Sequence, residues 1–99
     1  MSSVIQELES FGGGVFSTHQ GFDSRLKESE LWRAFEQPVL IWVHGPQFDD
    51  SGLDRLIGLV RKFPHIQRFR FTSTHVTRDG VRRLYEFWPD IPIDGPAAS

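Results

Sequence analysis

Four histidines, His19, His44, His65 and His75, are the first residues able to hold a metal or relay a proton. No two of them stand at the H-x-x-x-H spacing that sets two imidazoles on one helix face, and no cysteine is present to complete a zinc set. No metal is expected. The neighbours Asp49 and Asp50 have the right type for paired acid–base work, but they precede an apolar periodic run and read more simply as helix caps. The run Gly12-Gly13-Gly14 lacks the following Lys-Ser/Thr of a phosphate loop. Neither a Gly-x-Ser-x-Gly elbow nor a Ser-His-Asp order occurs. The expectation is a non-enzymatic chain with no catalytic residue and no cofactor.

Residues suited to binding are easier to find. Trp42, Arg68 and Arg70 belong to the types that most often anchor interfaces, and Phe16, His44 and Thr72 stand near them in the pattern. The elements that must position them can be read from periodicity. Val4, Ile5, Leu8 and Phe11 fall on one helix face, with Ser3 and Gln6 at capping-box spacing and the glycine run as the stop. Val15 and Phe16 suit a short strand, and "STHQGFDS" a loop. Leu26 to Phe35 reads as a helix with Leu31, Trp32 and Phe35 as its apolar side.

Pro38 then forbids helix, and "VLIWV", Val39 to Val43, is a strand whose unbroken apolarity suggests cover on both faces. Leu53, Leu56, Ile57, Val60 and Phe63 mark an amphipathic helix closed by Pro64. "IQRFRF" alternates as a strand does. Val81, Leu84, Tyr85 and Trp88 give a last helix face before Pro89, and "DIPID" is extended.

An internal period links these elements. Ile41 and Phe69, Val43 and Phe71, Phe48 and Val76, Gly52 and Gly80, Leu53 and Val81, and Leu56 and Leu84 are all 28 residues apart. A fainter unit, "VFSTHQGFD", lies over "IWVHGPQFD" at an offset of 26, matching Val15 to Ile41 and Phe16 to Trp42. Each unit is one strand and one helix that cannot bury its apolar side alone, so neighbours must stack. Strands joined through helices are expected to run parallel. Ile41, Val43, Phe69 and Phe71 then face the helices, while Trp42, His44, Arg68, Arg70 and Thr72 face the other way. Phe16, Trp42 and Arg70 are expected side by side. That face is either open for binding or covered by the N-terminal helix or the tail, with Arg68 and Arg70 merely solvated.

The residues Ile66, Phe69, Phe71, Thr74, Val76, Thr77, Gly80, Val81 and Leu84 form a pattern that resembles a leucine-rich repeat of the long, helix-bearing type. "WPDIPI" resembles the abbreviated strand that closes such arrays. The resemblance implies helices on a convex side, strands on a concave side, and recognition of another protein. Phe and Ile replace most strand leucines, Pro46 stands where Thr74 does, and the units are few. A second resemblance sits in "FDDSGLDRL": Asp-Ser-Gly-Leu opening a helix is similar to the signature of the sulfate-transporter and anti-sigma-factor-antagonist (STAS) domain. It implies a regulatory phosphosite at Ser51, where the helix dipole favours an added phosphate. The family's usual Ser or Thr is replaced by Asp50, and "VTRDGV" repeats the geometry without the Ser, as a plain cap would.

Composition bounds the rest. Ninety-nine residues suggest a single domain over 1–99: a helix in 1–13, about three strand–helix units in 14–95 and a tail at 96–99. A net charge of -2 argues against a nucleic-acid partner and against a polybasic membrane anchor. Three Trp and nine Phe supply large apolar area for so short a chain. Without cysteine, a basic start or an apolar leader, the chain is expected to be cytoplasmic. The expected fold is α/β, a short leucine-rich-repeat-like array with parallel strands on one side and helices on the other. The expected partner is another protein, with a homodimer as an alternative because a short array leaves an unpaired edge.

Overall fold

A computed structural model of the chain describes residues 4–17 and 24–95. The Ser3 cap, most of the "STHQGFDS" loop, the alignment of Phe22 and Asp23 with Phe48 and Asp49 at the offset of 26, and the tail lie outside the described residues. Helix α1, Val4–Ser10, buries Ile5 and Leu8 and stops where Gly12 turns to φ +88°. Strands β1, Gly13–Ser17, and β2, Ser24–Arg25, follow, then a 3-10 helix, Glu28–Phe35. Two strand–helix–strand crossovers complete the chain: β3, Val39–His44; α2, Asp50–Val60; β4, Ile66–Thr72; α3, Arg78–Phe87; and β5, Ile93–Asp94.

The five strands form one sheet in the order β2-β1-β3-β4-β5. β3, β4 and β5 run parallel. Leu40 to His44 pair with Arg68 to Thr72, so Ile41 meets Phe69 and Trp42 meets Arg70 at the 28-residue spacing of the sequence period. The first unit breaks the expected pattern. β1 is antiparallel to β3 and to β2, so the fold is a mixed α/β sheet and the offset of 26 is not a third parallel register. Val15 does pair with Ile41, but Phe16 stands opposite Leu40 rather than Trp42. The apolar types matched; they carried no information about strand direction.

The buried residues of all four helices join one core with the helix-facing residues of the sheet, Val15, Ile41, Val43, Phe69 and Phe71. Much of that core is aromatic. Phe48 stacks on Phe71 with ring centroids 5.8 Å apart, Phe11 packs on Phe48 at 5.3 Å, and Phe69 packs on Trp88 at 4.9 Å. Each such pair contributes about 0.5–1.5 kcal/mol beyond the area it buries. The 3-10 helix departs from the sequence reading. Its three-residue turn puts Leu31 and Ala34 inward, leaving Trp32 57% and Phe35 43% exposed. Phe35 still meets Phe63 edge-on at 5.3 Å.

Ion pairs cross the outer helix layer, Arg55 with Glu7 at 2.5 Å between α2 and α1, and Arg83 with Asp54 between α3 and α2. Each is half exposed and worth about 0–1 kcal/mol. Closer contact comes from Gly80, where an added Cβ would overlap Asp50 and Leu53 on α2. Gly58, in the last turn of α2, would present a Cβ to open space. The two glycines therefore predict opposite signs. Gly80→Ala should lose about 1–3 kcal/mol by overpacking, and Gly58→Ala should gain about 0.5–1 kcal/mol in helix propensity; urea midpoints at constant slope check both.

Candidate functional site

Strand alternation divides β3 between two environments. Val39, Ile41 and Val43 belong to the helix-side core, while Leu40, Trp42 and His44 belong to the other side. Among the described residues no helix packs on that second face. Leu40, flanked by Phe16 and Arg68, is nonetheless only 2% exposed and stands apart from the core cluster. The expectation of cover on both faces thus holds at Leu40 and fails toward the strand's end, where Trp42 is half-buried and His44 exposed.

Trp42 is the centre of this face. Its indole N–H donates to Thr72 Oγ1 at 2.8 Å. The Arg70 guanidinium lies 5.0 Å from its ring centroid, a cation–π geometry, and the Phe16 ring lies 5.5 Å away on the diagonal. Arg25, on β2, covers Phe16 in turn at 5.1 Å. The result is a band across three neighbouring strands and β2's edge: Arg25, Phe16, Trp42, Arg70. Parallel register delivers Arg70 to Trp42, and the antiparallel hairpin delivers Arg25 to Phe16. Arg68 lies on the same face but turns to Asp94 on β5 at 2.9 Å.

A cleft of about 260 Å³ opens beside the band, lined by Gly12, Phe16, Arg25, Trp42 and His44. Its floor is aromatic and its wall carries a cation. Of the six residues expected from sequence, the structure gathers Phe16, Trp42, His44, Arg70 and Thr72, and leaves Arg68 at the margin. Sequence reasoning missed Arg25 and Gly12. Arg25 lies on a two-residue strand beyond a polar loop, where no periodicity marks it, and in sequence Gly12 carries no signal beyond that of a helix stop.

Ser51 lies elsewhere, exposed in the first turn of α2. Asp49 is the cap of that helix: its carboxylate accepts from the Ser51 and Gly52 amides at 3.1 and 3.3 Å and from the Ser51 hydroxyl at 2.6 Å. A phosphate on Ser51 would lose that bond and confront an anion already seated on the helix start. Thr77, 28 residues on, caps α3 through Gly80. Asp50 ties the two starts together by accepting from the Thr77 amide at 2.8 Å and from its hydroxyl. His75 joins the same tier, its amide donating to Phe48 O and its Nδ1 lying 2.6 Å from Pro46 O. Among the described residues no group of His, Asp or Glu could hold a metal.

Two outcomes follow from the helix starts. Hydrogen bonds from the Ser51 hydroxyl, the Gly52 amide and the Ser51 amide hold the Asp49 carboxyl below its ordinary value of 3.8. Its contribution is therefore complete above that value and is lost as pH falls through the lower folded-state value. The stability gap between wild type and Asp49→Asn should be widest near neutrality and close below pH 3.8, as urea titrations at several pH values would show. Thr77→Val should cost about 1 kcal/mol, and its effect should shrink in an Asp50→Asn background; additive losses would mean the tie is not made.

No protein-family model, curated protein or solved structure matches the chain. No helix among the described residues is long and apolar enough to cross a membrane.

Proposed function

We propose that the chain is a small, non-enzymatic protein-interaction module that docks its partner on the face of the sheet opposite the helices. The observation that carries this reading is the Arg25–Phe16–Trp42–Arg70 band on a face that no helix among the described residues covers. Large apolar rings and arginines left half in water are the groups that gain most from a partner's cover. Trp42 is fixed by its bond to Thr72 and by the Arg70 stack, so docking immobilises little that is not already ordered. The two central units, with matching strands, caps and close-packed glycine, support leucine-rich-repeat character for β3 to β5. In that reading β1 and β2 replace the opening unit with an antiparallel hairpin.

The phosphoswitch at Ser51 is the weaker reading, because the acceptor hydroxyl is spent on the cap. In affinity capture from native extract, the Trp42→Ala/Arg70→Ala pair should abolish recovery of the partner. An Arg82→Ala/Glu86→Ala pair on the helix side should retain it. Equal recovery by both folded variants would contradict docking on the sheet face.

A further inference from the structure

The occupant of this face can be specified from its unspent chemistry. Among the described residues Arg70 is in no ion pair: its guanidinium lies over the Trp42 ring, and Asp94, its cross-strand neighbour on β5, is engaged by Arg68. Arg25 gives one guanidinium nitrogen to Glu9 Oε2 at 3.2 Å, which leaves further N–H donors beside the cleft. The Arg25 and Glu9 side chains are about half exposed, so the pair can open or share. Phe16 and Trp42 lie between the two arginines, and beside them, bounded by Arg25 and His44, opens the cleft of about 260 Å³, below the size of a drug-sized ligand site and suited to one apolar side chain. The face is thus cationic at two points and apolar between them, on a chain whose net charge is -2.

We propose that this face receives an acidic, extended segment of another protein, whose carboxylates bond Arg25 and Arg70 while an apolar side chain fills the cleft. The proposal rests on the reading of the sheet face as a docking surface. A single-stranded nucleic acid fits less well. Its phosphates need a continuous row of cations, whereas Arg68 is engaged by Asp94 and interrupts that row. Its bases need freely stacking aromatic faces, whereas an arginine lies over each of Phe16 and Trp42.

The test is fluorescence polarisation with three labelled probes: a short peptide of Asp and Glu around one central Leu, its Asn/Gln twin, and oligo(U). The acidic peptide should bind, weaken with added salt, and outcompete the twin. Arg70→Gln should weaken it about tenfold, the scale of one charge-assisted hydrogen bond. Arg61→Gln, which removes the same charge at the end of α2, should leave it unchanged. Equal binding of the twin, equal loss from Arg61→Gln, or tighter binding of oligo(U) would overturn the proposal. If the acidic peptide fails to bind while partner capture still depends on Trp42, the docking face stands and the acidic specificity falls. If capture is also independent of Trp42, the docking reading falls with it.

Discussion

The parallel pairing of β3 with β4 is the constraint on which the rest depends. It fixes Leu40 to His44 against Arg68 to Thr72 at one constant spacing, and every level above inherits that spacing. The helix caps Asp49 and Thr77 fall at the same interval, as do the glycines Gly52 and Gly80 that follow them. A slip of one residue would turn Phe69 and Phe71 to solvent and put Arg68 and Arg70 in the core. Such a slip is resisted from both ends, by the buried aromatic stack beneath the sheet and by Asp50 joining the two helix starts above it.

The same pairing makes the candidate site. Trp42 could not reach both Thr72 and Arg70 unless β4 ran beside β3 in this register. The chain thus spends its aromatic residues in two ways. Phe48, Phe69 and Phe71 are packed to exclusion of water, while Phe16 and Trp42 are left half-buried under arginines. A tryptophan placed there satisfies its polar atom within the fold and leaves part of its apolar area uncovered.

How much of this was legible in sequence follows from what sequence patterns encode. The strand "IQRFRF" was legible because alternation is a physical period, and the β3–β4 register was legible because several unlike positions recurred at one interval. The direction of β1 was not. The match of Val15 to Ile41 holds in either orientation, and pairing cannot be inferred from two or three apolar types. The exposed side of the 3-10 helix was misassigned because Leu31, Trp32 and Phe35 were placed on an α-helical wheel, and a tighter turn rotates Trp32 and Phe35 outward. Arg25 had no signal, since its place comes from a hairpin return that composition does not announce.

The account is tested most directly by the nuclear Overhauser pattern of β3. Its backbone should give close Hα–Hα contacts to β1 on one side. On the other it should give amide-to-Hα contacts to β4, without facing Hα–Hα pairs, and the Trp42 indole proton should contact Thr72. Facing Hα–Hα contacts between β3 and β4, or an indole proton that sees only solvent, would contradict it.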